Sequence, residues 1–460
     1  MPTDTQLPNA INNLHEQAGR LEQELRLSPR DPAIYQAIAE IKRMQGNELD
    51  ALVHLATAQL LAQATEQATA ETTMETIVHL CNIATAYFMQ GNYKDAEHWY
   101  RLVLTFDPHF AIAYMNLTSI YSSTGRPAEA EICRDQAYRN QRVFIEHEGN
   151  PVRRVLVLCV GRTSGNIPFE VLLPTSTCVR IKYVIDYATE MEDEWLPDYD
   201  LVFNAIGEPD VASLYADRVR RFASRCSRPI LNPHEVVTLT QRHRLAAFMG
   251  DIEDVVNMPC IRLDRPPASS EALSGVLAQK GLTFPVLIRP VGSHGGKQFE
   301  RCETMAELEL QIRAINDICY LTSYCDYASA DGYYRKYRII YVDRKPLPYH
   351  LAISEHWKVH YETAGMEQHL WRIDEEYRFL QDPEKVLGAR AMSTLAYIGS
   401  RLNFDYGGID FTLLPDGRIL VFEANPTMLV HREHSNSGLA HKNFFVQHIV
   451  DAFEEFLARL

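Results

Sequence analysis

Asp410, Glu423 and Asn425 are the residues of this 460-residue chain best placed to do chemistry. They lie in the stretch 405–426, where two short apolar segments flank Pro415, Asp416 and Gly417. That pattern predicts two strands joined by a turn. Asp410 falls on the first strand, and Glu423 and Asn425 fall two apart on the second, so they share a face. Three oxygen-bearing side chains then converge on one patch. Hard oxygen ligands suit Mg²⁺, which keeps several waters and completes its shell with substrate phosphates. The expected substrate is therefore a nucleoside triphosphate. Asp–turn–Glu hairpins also occur as ordinary solvated strand ends. Here the flanking residues Ile409, Phe411, Leu420, Val421, Phe422 and Ala424 are apolar, and a buried carboxylate needs a counter-charge. That favours the metal.

Two further segments fit a polyanion. Residues 284–297 read as a strand running into Ser293, His294, Gly295, Gly296 and Lys297. Glycines let backbone N–H groups approach phosphate oxygens, and Arg289 and Lys297 add charge. The plain alternative is a hairpin turn. Residues 333–353 read as another hairpin, in which Lys336 and Arg338 alternate and so share a face. Beside strands this apolar they are read as an anion-binding pair.

The elements that must position these groups follow from pattern. The chain repeats at a spacing of 34: Asn82 recurs as Asn116, Tyr87 as Tyr121, Gly91 as Gly125 and Ala96 as Ala130. A third copy lies 45 residues upstream, with Ala39, Gly46 and Ala51 matching Ala84, Gly91 and Ala96. Its extra residues are expected within 62–73. Pro29 and Tyr35 have the same separation as Pro108 and Tyr114. Residues 148–151 read as a linker. Beyond it, strands at 154–160, 179–185 and 200–206 and a helical stretch at 211–226 predict a parallel sheet with helices on its faces. The formal net charge of −15 argues against nucleic acid as a partner. Nine cysteines without a CxxC pair fit a reducing cytoplasm better than a disulfide framework. No apolar run is long enough to span a membrane, and the N-terminus has no signal-like segment.

Period 34, small residues where helices cross, glycine in the turn and proline at the next entry resemble tetratricopeptide repeats over about residues 10–145. The rest, about 152–450, resembles the ATP-grasp superfamily, with glutathione synthetases and ribosomal-protein glutamate ligases the nearest in look. The matching segments are 338–353, Gly408-Ile-Asp410, Phe422-Glu423-Ala-Asn425-Pro, 284–290, and Asn232 followed by 240–245. The fold this implies is an all-α repeat solenoid over 1–146, an α/β pre-ATP-grasp domain over 152–232 and an α+β ATP-grasp domain over 233–460.

The resemblance implies an ADP-forming carbon–nitrogen ligase working through an acyl phosphate. It implies ATP, two Mg²⁺ ions (Mn²⁺ is the alternative ion) and a small amine or amino acid co-substrate. Asp410, Glu423 and Asn425 would hold metal. Arg289, Ser293, Gly295, Gly296 and Lys297 would hold the nucleotide; the family usually has lysine where Arg289 stands and again near His243, where Arg242 or Arg244 would substitute. Tyr324 falls in the segment where the family binds adenine, and Asp326 or Asp331 would hold the ribose. Lys336 and Arg338 would act at the reacting phosphate. After Ile353 the chain leaves the family pattern: His356, Lys358 and His360 alternate and are expected to line the cleft. His431, Arg432 and His434 are candidates for gripping the acceptor or acyl phosphate. Lys358 and Arg432 are thus counted with the catalytic set. The repeat groove would bind a peptide or protein substrate; the other use of such an array is homo-oligomerisation. A small-molecule kinase and a nucleotide-binding scaffold are the alternative functions.

Overall fold

Helices fill the N-terminal unit, Met1–Arg142. They are α1 (Gln6–Leu27), α2 (Pro32–Met44), α3 (Glu48–Glu66), α4 (Ala70–Met89), α5 (Tyr93–Phe106), α6 (Ala111–Ser123) and α7 (Pro127–Asn140). The structure is a computed structural model and describes residues 6–66, 69–161, 165–256, 258–292 and 298–460. The helices pack as the pairs α2/α3, α4/α5 and α6/α7. Each pair turns at a glycine with positive φ, Gly46 (80°), Gly91 (75°) and Gly125 (73°), a conformation that side chains disfavour. Tyr35 and Tyr114 donate to the carbonyls of Pro29 (3.0 Å) and Pro108 (3.2 Å). That contact is why the two Pro–Tyr separations are equal. Tyr87 donates to Asp50 at 2.6 Å and Tyr121 to Glu97 at 3.1 Å, tying each pair to the one before. The extra upstream residues are absorbed by lengthening α3 and α4, which have 19 and 20 residues against 14 in α5.

Among the described residues, the second unit, Val143–Leu460, carries three sheets. The first holds β1 (Val143–Glu146), β2 (Arg153–Cys159), β3 (Cys178–Val184), β4 (Leu201–Asn204) and β5 (Ile230–Leu231) in the order β1-β3-β2-β4-β5. Its strands are parallel except β1, which pairs antiparallel with β3. β1 ends two residues ahead of the linker read from sequence, because Phe144 has a buried place in this sheet. The expected helix over 211–226 is two helices, Pro209–Leu214 and Ala216–Arg225.

The remaining strands are β6 (Val255–Val256), β7 (Cys260–Leu263), β8 (Val286–Pro290), β9 (Glu300–Cys302), β10 (Cys319–Ser323), β11 (Tyr334–Val342), β12 (Lys345–Ser354), β13 (Tyr406–Leu413) and β14 (Ile419–Asn425). They form a sheet of order β7-β10-β8-β9 and another of order β12-β11-β13-β14-β6. The latter is buried on both sides. Ile339, Leu351, Ile353, Ile409 and Phe411 pack with Phe379, Leu395 and Ile398 on one face. Ile340, Val342 and Tyr406 pack on the other against Val446, Ile449 and Phe453 of the C-terminal helix Lys442–Ala458. Period 2 puts Lys336, Arg338 and Asp410 on this second face, beyond the reach of the apolar contacts.

The β11–β12 turn is held from behind by the helix Ala389–Leu402. A Cβ on Gly399 would stand 2.3 Å from the Arg344 carbonyl oxygen. Backbone cannot yield as a flexible side chain does. Gly399→Ala is therefore expected to cost about 3 kcal/mol, the upper end for an overpacked site. A urea midpoint equal to that of the unaltered chain would contradict it.

Candidate active site

The site starts from the β13–β14 pair. Asp410 lies opposite Glu423, and Gly408 opposite Asn425, so both carboxylates reach the same side. The register slips after Asp410, leaving Phe422 as an extra residue on β14 beside Glu423. Each carboxylate meets cations from other strands and helices. Arg338 grips Asp410 with Nε at 2.6 Å and a terminal nitrogen at 3.0 Å, and Lys336 Nζ lies 3.0 Å from the same carboxylate. Arg242, on the helix Arg242–Met249, bonds the Glu423 carboxylate and donates to the Phe422 carbonyl at 3.2 Å. Arg289, at the end of β8, shares a small cleft with Arg242, Tyr320, Glu423 and Asn425.

Burial alone would raise the Asp410 pKa. The charges of Arg338 and Lys336 outweigh that and hold it well below the carboxylate range. Glu423 is likewise lowered: burial opposes, and Arg242 prevails. Burial, followed by repulsion from Arg242, brings Arg289 down to about 10, still cationic at neutral pH. Four cations thus surround the ionised Asp410 and Glu423, while Glu208 and Asp210 also line the cleft beside Arg242 and Arg289, Asp210 paired with Arg262 at 2.5 Å.

Among the described residues no group of three or more His, Cys, Asp or Glu side chains is placed to hold a metal ion alone. Two ionised carboxylates on adjacent strands still fit Mg²⁺, which takes few protein ligands and relies on waters and phosphates for the rest. A divalent cation there would take the place of a guanidinium on each carboxylate. The fit is poorer at Asn425, whose Oδ1 already accepts from the Thr427 N–H and Oγ1, both at 2.7 Å.

The expected nucleotide residues Ser293, Gly295, Gly296 and Lys297 lie outside the described residues, as does His294. Tyr324 donates to Asp326 at 3.2 Å, stands edge-on to Trp357 with ring centres 5.6 Å apart, and has the Arg301 guanidinium 4.1 Å above it.

Two residues expected in the catalytic set are placed away from Lys336 and Arg338. Lys358 does not join Lys336 and Arg338; its ammonium donates to the Phe299 carbonyl at 2.8 Å. The reason is that β12 ends at Ser354, so strict alternation beyond it is lost; His360 nonetheless lines the cavity that Lys336 and Arg338 also line. Arg432 is exposed and bonds Gln447 of the C-terminal helix. Its neighbours His431 and Glu433 face the other way, into a cavity of about 550 Å³ that Lys336, Arg338, Tyr349 and Tyr361 also line. The sequence reading missed Tyr349, Tyr361, Glu433 and Lys442. Lys442 had a signal: with Phe445, Val446 and Ile449 it falls on one apolar helix stripe, and it is completely buried.

A tetratricopeptide repeat family model matches residues 76–106. No curated protein matches the chain. Among solved structures, the chain is similar to a RimK domain ATP-grasp protein from Sphaerobacter thermophilus DSM 20745, with 13% identity, 66% of this chain and 98% of that one covered and a TM-score of 0.40. It is similar to the VanG D-Ala:D-Ser ligase of Enterococcus faecalis (13%, 66% and 99%, 0.40). It is also similar to an L-amino acid ligase from Bacillus licheniformis (13%, 66% and 75%, 0.38). Likeness at this level leaves the functional reading to rest on the residues.

Proposed function

We propose that the chain is an ATP-dependent carboxylate–amine ligase that forms an amide through an acyl phosphate and releases ADP and phosphate. The observation that carries this is the cluster of Arg242, Arg289, Lys336 and Arg338 around ionised Asp410 and Glu423. The converging cations suit a polyphosphate, and the carboxylates suit its divalent cation. Phosphoryl transfer asks little covalent help of a protein; it asks for positioning and neutralised charge. In this reading Asp410 and Glu423 would hold Mg²⁺, with Asn425 beside them. The metal would neutralise phosphate charge. Arg242, Arg289 and the loop 293–297 would hold the nucleotide, with Tyr324 and Asp326 toward its base and ribose. Lys336 and Arg338 would stabilise the transferring group and the carboxylate. Residues 233–460 would form the ATP-grasp part and 152–232 the domain before it.

The test supplies the full chain with Mg²⁺-ATP and pooled amino acids and dipeptides. ADP release and products are followed by mass spectrometry. ADP release that depends on the pool and yields an amide is the expected result. A stable phosphorylated product would make the chain a kinase instead. ADP release indifferent to the pool would refute the ligase reading.

The repeat array would recognise a peptide or protein substrate and raise its concentration at the site by tethering. Deleting residues 1–142 is expected to raise KM for such a substrate about tenfold or more, with basal ATP hydrolysis kept. Equal efficiency in the fragment 143–460 would make the array an oligomerisation module, which sedimentation of both chains would show.

A further inference from the structure

The 550 Å³ cavity adjoins the Arg338 end of the site, and one wall is a continuous hydrogen-bonded chain. Tyr349 starts it. The β11–β12 register steps from Arg338 opposite His350 to Ile339 opposite Pro348, so Tyr349 is an extra, bulged residue. In a regular strand, Tyr349 and His350 would point to opposite faces. The bulge brings both to the cavity lining. The Tyr349 hydroxyl lies 2.9 Å from His431 Nδ1 and accepts the His431 backbone N–H at 3.2 Å. His431 Nε2 stands 3.3 Å from a Glu433 carboxylate oxygen. That oxygen also takes the ammonium of buried Lys442 at 3.0 Å. Lys442 donates to the Tyr361 hydroxyl at 2.7 Å. Asn443 clamps the Glu433 backbone, accepting its N–H at 2.7 Å and donating to its carbonyl at 2.9 Å.

These contacts fix the protons. A carboxylate paired with an ammonium only accepts, so His431 carries its hydrogen on Nε2 and offers a bare Nδ1. Tyr349 must then donate its O–H to Nδ1. One lone pair of the phenol oxygen takes the His431 N–H, and one is left over.

We propose that Tyr349, His431 and Glu433 form a proton relay that deprotonates the amine attacking the activated carboxylate. This rests on the ligase reading above. An ammonium sheds two protons on becoming an amide. As the nitrogen bonds to the carbonyl carbon, the carbon–oxygen bond to phosphate breaks, and one proton leaves with the phosphate. The other passes to the Tyr349 oxygen while that hydroxyl's own proton moves to His431 Nδ1. Glu433 faces the imidazolium so formed, and half-exposed His431 returns the proton to water. Burial holds the His431 pKa below its usual value, so the ring starts neutral, and pushes Tyr349 up to about 12, so the phenol starts protonated. Lys442 is a positioning residue: it holds Glu433 and Tyr361 in place.

The test gives the full chain Mg²⁺-ATP and the amino-acid and dipeptide pool, with and without hydroxylamine. Hydroxylamine is already a free base at neutral pH and captures an acyl phosphate without help from a proton acceptor. Amide and hydroxamate are measured together in Tyr349→Phe, His431→Asn and the unaltered chain. The amide-to-hydroxamate ratio at pH 7 is expected to fall about a hundredfold in both variants. The deficit should shrink as pH rises and the amine loses its proton unaided. A ratio unchanged in Tyr349→Phe and His431→Asn overturns the relay, even if both products fall together. Absence of hydroxamate from the unaltered chain overturns the ligase reading itself, and the relay with it.

Discussion

Asp410→Asn is expected to lower Mg²⁺-dependent ATP turnover about a thousandfold. The substitution keeps shape and removes charge. Asp410 is almost wholly buried, at 2% exposure, and it answers both Arg338 and Lys336. Without it, two cations face each other with no carboxylate between them, and a divalent ion would lose one of its two proposed carboxylate ligands. Breaking a buried pair from one side costs about 3–5 kcal/mol, so circular dichroism and a urea curve must accompany the assay. Glu423→Gln is expected to act in the same direction. Its side chain is more exposed, at 26%, and forms an ion pair with Arg242, so the loss of stability should be smaller. Near-normal turnover in both variants, with native spectra, would remove the metal from Asp410 and Glu423.

Arg338→Ala is expected to cut kcat about a hundredfold or more while the KM for ATP moves little. Arg338 holds Asp410 with two nitrogens and lines the cavity, so its charge lies between the carboxylates and the proposed substrate space. Arg289→Ala should do the reverse. Arg289 stands at the end of β8, four residues before Ser293 begins the glycine-rich segment, in the cleft with Arg242. Its loss should raise the KM for ATP and leave kcat less affected. Steady-state kinetics with varied ATP separates the two roles. Equal effects of the two variants on kcat and KM would show that the cations act as one undivided cluster.

The sequence carried the parts whose geometry is local. Repeat spacing gave the paired helices, the glycine turns and the matched Pro–Tyr contacts. The β13–β14 turn and the alternation of Lys336 with Arg338 followed from period 2. The sheet of β7, β8, β9 and β10 was legible only at β8. β7 and β9 have four and three residues, too short for periodicity to show, and their pairing depends on neighbours distant in sequence.

What the sequence by itself determined is therefore the faces: which side chains on a strand or helix look the same way. Strand pleat and helix pitch impose that on every residue in turn. Only the tertiary structure decided which charges meet. Glu423 finds Arg242 across 181 residues of chain, a distance that no local period encodes. Only the tertiary structure placed bulges at Phe422 and Tyr349, because a slipped register is a property of two strands together. Only it turned Lys358 to the Phe299 carbonyl, because a strand's alternation stops where its pairing partner stops, and set Arg432 against Gln447 of the C-terminal helix.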